Sequence, residues 1–417
     1  MYIRSLKISN LRCFRDAEIR LQFPGQAGSD PPEYPNVNLL LGINGSGKTT
    51  LLKAIALTVL SRILPSSGFV PYNLIRRAPG EPHEFSEIEA SLLLHAQDFE
   101  RAGRQEQAQI DVRIERIGSD EEVVPVNTGP SEIWRNLHDE ISPALFLVGY
   151  GATRWVLGSS QVEPVASQRK RRRLRYQRVA GLFEEHVGLT PLSAWLPSLE
   201  KDDPRQFAEV GSLLDRMLPE GTRFLRRWQA DEYLFEHCGV TVPLGALSDG
   251  YRAYIGWISD LLQHLAWITP PGQKLEDCRG VVLIDEIDLH LHPAWQREVV
   301  PMIAQNLPNL QFVLTTHSPI VAGTLHWQNI FVVEMEEDGS STVRQLRERI
   351  HGLNADQVLV SSYFNLDTTR APSFEDDLRN LSKKAMAGDE DAAVTYLKKL
   401  ATGSEDEAAE VPAETDA

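Results

Sequence analysis

The chain opens with alternation. "YIRSLKISNLRCFRDAEIRLQF" puts apolar residues at every second position in two short bursts, which predicts two antiparallel, half-buried strands. The Pro-, Gly- and Asp-rich stretch "FPGQAGSDPPEYPN" must then be a loop, and "VNLLL" behind it is a short unbroken apolar run of the kind buried on both faces of a sheet. "KTTLLKAIALTVLSRIL" predicts a helix in which Leu51, Leu52, Ile55 and Leu60 share one buried face. Alternation returns in "FSEIEASLLLHA" and "AQIDVRIERIG". "SEIWRNLHDEI" predicts a helix with Ser131 as its N-cap, and "ALFLVGYG" another buried strand.

Beyond Ala152 the pattern is mostly helical as far as Arg227, breaking at "LTPLS" and "KDDPRQF" and lacking the sustained heptad of a long coiled coil. Strands resume in "RFLRRWQADEYLFEHCGVTVPLGAL". They lead into "LSDGYRAYIGWISDLLQHLAW", a turn followed by a strong helix. "GVVLIDEIDLHLHP" and "LQFVLTTHSP" are two further buried strands, each running out into polar residues. Buried strands that end in polar clusters, with helices between them, predict an α/β sheet with its ligand at the strand C-termini.

These segments divide the chain into five stretches: an N-terminal lobe over 1–150, a mostly helical insertion over 151–227, the rest of the sheet over 228–335, a small helical C-terminal region over 336–403 and an acidic tail over 404–417. "EDDLRNLSKKAMAGDEDAAVTYLKKL" predicts a helical hairpin in the fourth stretch. The tail "SEDEAAEVPAETDA" has the composition of a disordered segment.

Composition narrows the function classes. With 42% hydrophobic and 24% charged residues the 417-residue chain is not globally disordered, and its net charge of −16 gives no overall pull toward nucleic acid or anionic membrane. The exception is "RKRRRLRYQR", Arg169 to Arg178, with seven basic residues and one tyrosine. It reads either as a solvated helix face or loop, or as a contact with nucleic-acid phosphates or an acidic partner. Cys13, Cys238 and Cys278 lack the spacing of a disulfide frame or zinc site and read as buried thiols. No apolar run is long enough to span a bilayer and the N-terminus lacks a signal-peptide block, so no membrane association and a cytoplasmic location are expected.

The chemistry lies at the strand ends. "GINGSGKTT" fills the G-x-x-x-x-G-K-[ST] pattern between a buried strand and a helix. Backbone N–H groups from Asn44, Gly45, Ser46 and Gly47 would cradle phosphates with Thr50, Lys48 would reach the β and γ phosphates, and Thr49 would ligate Mg²⁺. "VVLIDEID" delivers Asp285 and Glu286 to the end of another strand, where Asp285 suits the Mg²⁺ shell and Glu286 a general base that polarises the attacking water. His317, in "VLTTHSP", is placed to contact the γ-phosphate. "LSDGYR" opens a helix with Ser248 and Gly250, a second set of phosphate-facing N–H donors or else a simple cap. His290 and His292 have no third ligand at suitable spacing and read better as packing residues than as zinc ligands.

Together these motifs resemble the ABC-type ATPases of the structural-maintenance-of-chromosomes and recombination-repair group. "GINGSGKTT" is similar to their Walker A, "LSDGYR" to their signature, "VVLIDE" to their Walker B and "TTHS" to their switch-histidine strand. The resemblance implies an ABC-type P-loop fold with a mixed sheet, ATP and Mg²⁺ as ligands, and a homodimer in which the Walker A of one copy faces the signature of the other. Asp288 would lie in the D-loop at that boundary. "DEIDLHLHPAWQ", "VGYGATR" and "FNLDTTRAPSFEDDLRNL" further resemble the overcoming-lysogenisation ATPases and, best, the ATPase subunit of Septu-type anti-phage systems, which acts with a separate HNH-type nuclease.

The resemblance is incomplete at the Q-loop. Gln97 is a poor candidate for its glutamine, and "VGYGATR" stands in that region, with Arg154 expected near the nucleotide. The residues after "NIFVVEMEEDG" carry no Toprim-like acidic cluster, so a built-in nuclease is not expected. Three readings follow: a defence ATPase controlling a nuclease subunit, a DNA-repair ATPase that binds DNA without one, and a nuclease in its own right.

Overall fold

The computed structural model describes residues 1–26, 30–78, 81–99, 105–134, 142–157 and 175–402. Arg169 to Leu174 of the basic run, the acidic tail and the second half of "SEIWRNLHDEI" lie outside them. The chain divides into two units, Met1–Phe364 and the residues from Asn365 on.

The first unit has two large sheets among its described residues. The opening alternation forms β1 (Tyr2–Leu11) and β2 (Phe14–Arg20), paired antiparallel. After β3 (Val37–Leu41) and the two-residue strands β4 (Arg77–Ala78) and β5 (Glu81–Pro82) come β6 (Phe85–Leu94), β7 (Glu106–Ile117) and β8 (Asp120–Asn127). They complete an antiparallel sheet in the order β2-β1-β6-β7-β8. The inward residues of its strands, among them Leu6, Ile8, Ile88, Ile110 and Val112, are fully buried, as a period of two requires.

The second sheet contains β3, β9 (Leu147–Tyr150), β13 (Gly280–Ile284), β14 (Leu310–Thr316), β15 (Ile330–Met335) and β16 (Ser341–Arg344). Their order is β16-β15-β3-β14-β13-β9, parallel except for β16. β3, β13 and β14 are buried at every position, the burial pattern of strands covered on both faces.

Helix α1 (Lys48–Leu60) shares one hydrophobic cluster with residues of both sheets. This differs from the single buried face expected from sequence, because Ala54, Ala56, Leu57, Thr58 and Val59 are buried as well. A helix lodged between two sheets has no solvent side, and small residues on the intervening positions let both sheets approach.

Of the predicted helix "SEIWRNLHDEI", the described residues Ser131–Trp134 form a 3₁₀ turn. Between β9 and the third sheet lie helices Leu196–Asp202 and Pro204–Met217, the latter N-capped by Asp203, which accepts from the backbone of Arg205 and Gln206. A three-stranded antiparallel sheet follows, β10 (Thr222–Gln229), β11 (Glu232–His237) and β12 (Val240–Pro243), and then the long helix Asp249–Ile268. Cys278 is buried, but Cys13 is only half-buried and Cys238 is exposed, correcting the expectation of three buried thiols. Cys238 occupies the positive-φ turn between β11 and β12, where the backbone must turn back sharply and leaves its side chain outside.

In the second unit, helices Pro372–Met386 and Glu390–Thr402 form the predicted hairpin, and Lys399 donates to Asp377 across it. Among the described residues no helix is long and apolar enough to cross a membrane.

Candidate functional site

Register decides where the polar residues meet. Leu41 lies opposite Thr316, Leu314 opposite Ile284, and Ile284 opposite Tyr150, so β3, β14, β13 and β9 end side by side. The next residues, Gly42, His317, Asp285 and Gly151, therefore emerge at one edge of the sheet. Parallel strands place this edge at their C-termini, where crossover connections leave a crevice.

The glycine-rich loop is shaped by contacts on both sides. A Cβ on Gly42 would sit 2.3 Å from the Val333 carbonyl oxygen, and one on Gly47 would meet Cys13 Sγ at 2.4 Å and Phe14 at 2.7 Å. Gly47 also has φ of 109°, a conformation that L side chains resist. The β1–β2 turn thus buttresses the loop from behind, and the half-buried Cys13 thiol donates to the Ser46 carbonyl at 3.5 Å. Asn44 and Gly45 stand exposed at the loop tip, whereas Ser46 is buried with a hydroxyl that has no hydrogen-bond partner among the described residues.

Lys48, the first residue of α1, is buried. Its ammonium donates to the Gly42 and Ile43 carbonyls at 2.8 and 3.1 Å and to His317 Nε2 at 2.9 Å. An ammonium has donors only, so Nε2 accepts and the imidazole proton sits on Nδ1. Burial and the adjacent Lys48 charge hold the His317 pKa below its usual value, so the ring is neutral in neutral solution. Burial also lowers the Lys48 pKa, against the pull of Asp285, Glu286 and Asp288.

Both oxygens of the Asp285 carboxylate are engaged. Oδ2 accepts from the Thr49 hydroxyl at 2.7 Å and Oδ1 from the Thr315 hydroxyl at 2.6 Å. Thr315 is also the acceptor for the Glu286 backbone N–H at 2.7 Å. Glu286 sits at φ 49°, an unusual backbone for a glutamate, so the chain leaves β13 at a sharp turn. The half-buried carboxylate of Glu286 has no hydrogen bond among the described residues.

Arg154, expected near this cluster, is buried beneath it, donating to the Asp285 carbonyl and, at 2.7 Å, to the Glu286 carbonyl. Burial brings its pKa down to about 10, which still leaves the guanidinium charged. Gln97, a poor candidate for the Q-loop glutamine, donates to the Pro143 and Arg279 carbonyls. Thr315 and Arg154 together fix the turn that carries both carboxylates. The role of Thr315 was missed from sequence because a threonine in a β-branched strand carries no signal of its own.

Asp288 accepts from Thr316 at 2.5 Å within the same chain. His290 is exposed at φ 65°. His292 caps a short helix, accepting from the Ala294 N–H at 3.3 Å, and neither histidine belongs to a metal-ligating group among the described residues.

Ser248 and Gly250 lie at the start of the Asp249–Ile268 helix. Ser248 occupies the N-cap position without capping, and its side chain is exposed. A Cβ on Gly250 would lie 2.6 Å from the His290 carbonyl oxygen, so the turn after β13 packs directly on this helix start.

The basic run is corrected in part. Arg175 and Arg178 are 4% and 3% exposed, with Arg175 donating to the Ser142 and Ala144 carbonyls and the Arg178 guanidinium lying over the Phe146 ring. Two of the seven basic residues therefore pack against the β9 edge and are not part of a solvated face.

The donor chemistry fits Mg²⁺. A threonine hydroxyl and a carboxylate oxygen 2.7 Å apart are hard ligands at about the spacing of neighbouring positions in a Mg²⁺ octahedron with ~2.1 Å bonds.

Comparison with known proteins gives the family and the fold. The family model described as "AAA domain, putative AbiEii toxin, Type IV TA system" matches residues 37–322. The chain is 25% identical over 370 residues to the Septu protein PtuA of Bacillus mycoides (strain KBAB4), an alignment covering 88% of this chain and 45% of that protein. It is 40% identical over 154 residues to the Retron Ec83 probable ATPase of Escherichia coli, covering 37% of this chain and 28% of the relative. The chain thus spans less than half the length of these curated relatives. Among solved structures, an SMC head bound to the C-winged helix domain of ScpA aligns with a TM-score of 0.51 at 19% identity, covering 83% of this chain and 98% of that one. The fold is that of the ABC-type ATPase head, as the motifs imply.

Proposed function

The chain belongs to this AAA-domain family, and from that premise we propose that it is the ATP-hydrolysing subunit of a bacterial anti-phage complex. In this reading two copies close around ATP and control a separate HNH-type nuclease subunit. One observation carries the catalytic part: Lys48, Thr49, Asp285, Glu286 and His317 converge at adjacent strand ends, with Thr49 bonded to Asp285 and Lys48 to His317.

The proposed chemistry follows from each side chain's surroundings. Lys48 exchanges its loop carbonyls for β- and γ-phosphate oxygens, and a Mg²⁺ ion held by Thr49 and Asp285 would neutralise phosphate charge. Glu286, whose carboxylate has no hydrogen bond among the described residues, accepts the proton of the attacking water. Once Lys48 turns to the phosphates, the neutral His317 ring carries its proton on Nε2 instead of Nδ1 and donates toward the γ-phosphate. The exposed, uncapped Ser248 and the Gly250 N–H offer the second copy's phosphate the positive end of a long helix.

The defence role rests on likeness to Septu and retron proteins, and the nuclease partner on the motif resemblance. A DNA-repair role relied on the basic run, and the burial of Arg175 and Arg178 removes part of that support.

The test is Glu286→Gln. The variant should bind ATP and Mg²⁺, hydrolyse at least a hundredfold more slowly, and accumulate as an ATP-dependent dimer by light scattering. Near-normal turnover would reject Glu286 as the base. A monomer in saturating ATP would reject the shared site. Co-purification from the native host tests the partner: a stoichiometric nuclease supports it, and its absence argues for a different assembly.

A further inference from the structure

A second constellation lies at the opposite end of the same sheet. Glu33 belongs to the loop entering β3, His326 precedes β15, and His351 follows β16. One ligand atom from each lies within 4.8 Å of the other two. The two imidazoles stack with centroids 4.4 Å apart and planes inclined by 18°.

These residues are distant in sequence but their backbones are held together. Each adjoins a buried anchor: Glu33 precedes Tyr34, His326 follows Leu325, and His351 follows Ile350, the last two fully buried. Asn329 Nδ2 donates to the Tyr34 and Val37 carbonyls at 2.8 Å, tying the Glu33 segment to the His326 segment. The Gly352 N–H donates to the Gly323 carbonyl at 3.0 Å, tying the His351 segment to the same place. Three loops pinned at their bases present three ligating side chains outward, with Glu33 and His351 exposed and His326 half-buried.

We propose that Glu33, His326 and His351 form a binding site for a divalent transition-metal ion of the zinc class. Two imidazoles and one carboxylate make a three-ligand set for zinc, with a fourth position left for water. Imidazole donors select against Mg²⁺ and Ca²⁺, so this site and the Thr49–Asp285 pair discriminate between cations by ligand chemistry. Tetrahedral bonds of about 2.0–2.2 Å separate neighbouring donors by roughly 3.4 Å, so closing the site needs under ~1.5 Å of movement between donors together with a turn of the stacked imidazoles that brings both in-plane lone pairs onto the ion. Surface side chains on fixed backbones supply that by rotation. The bound ion staples the entry to β3, whose other end carries the phosphate loop, to the segments flanking β15 and β16.

The experiment uses full-length, nucleotide-free protein stripped with chelator and titrated with Co²⁺, whose visible absorption reports N/O ligation, and with Zn²⁺ monitored by thermal unfolding. One ion should bind per chain, and saturating Zn²⁺ should raise Tm by a few degrees or more. His326→Ala with His351→Ala should weaken binding at least tenfold and abolish the Tm shift while leaving the metal-free Tm unchanged. Glu33→Gln should weaken binding on its own. Absence of binding, or equal affinity in the double variant and in the parent, overturns the proposal. Loss of binding through Cys238→Ser alone, with the histidines intact, also overturns it.

Discussion

The Thr49 hydroxyl donates to Asp285 Oδ2 across 2.7 Å, although 236 positions separate the two residues in the chain. Parallel pairing of β3 with β14 and of β14 with β13 brings their strand ends into line and makes this contact. The carboxylate that Thr49 reaches is held from its other side by Thr315, so a threonine without an assigned chemical role fixes the geometry of the site.

Thr315→Val tests that support. Thr315 is fully buried, and valine keeps its shape while removing a donor to Asp285 and an acceptor for the Glu286 N–H. We expect a stability loss of about 1–3 kcal/mol by urea denaturation. ATP turnover should fall more than ATP affinity, because the displaced groups are the two carboxylates. Unchanged kcat would show that Asp285 and Glu286 hold their places unaided.

Arg154→Met should be more severe. The guanidinium serves the Asp285 and Glu286 carbonyls from within the fold; its loss takes the charged donor from both, and the Glu286 carbonyl keeps only the Leu289 N–H at 3.0 Å. Loss of charged hydrogen bonds predicts destabilisation of roughly 3 kcal/mol, read as a lower denaturation midpoint. Arg154→Lys should recover part of the stability and less of the activity, since an ammonium lacks the planar fork that bridges two carbonyls.

Gly250→Ala separates nucleotide binding from association. The added methyl collides with the His290 carbonyl oxygen at 2.6 Å, displacing the helix start from the turn after β13. ATP binding to the monomer, measured with a fluorescent analogue, should remain within a few-fold. ATP-dependent dimerisation should be lost, and retention of a full-strength dimer would argue that this helix does not face the second nucleotide.

His317 predicts a pH dependence of definite sign. Its folded pKa lies below the unfolded value of about 6.5, so in that window the unfolded chain binds more protons. The stability it contributes is present above about pH 6.5 and declines as pH falls through that value toward the folded pKa. Denaturant unfolding of the nucleotide-free protein between about pH 7.5 and 5.5 should show a shallower decline in His317→Asn than in the parent. Parallel curves would mean that the ring is not held neutral.

The local pattern of the chain was enough to identify the opening hairpin, the buried strands β3, β13 and β14, the glycine-rich loop and the acidic strand end, because each rests on near neighbours: a period of two, an apolar run, or glycines between a strand and a helix. Cys13 behind Gly47, Thr315 beneath Asp285, Arg154 under Glu286 and the Glu33–His326–His351 group are decided only by tertiary structure. They depend on parallel register and on loops that meet across hundreds of residues, and no short-range pattern encodes such a meeting. The same holds for "RKRRRLRYQR": its charge was plain in the sequence, but the burial of Arg175 and Arg178 against the β9 edge follows from packing alone.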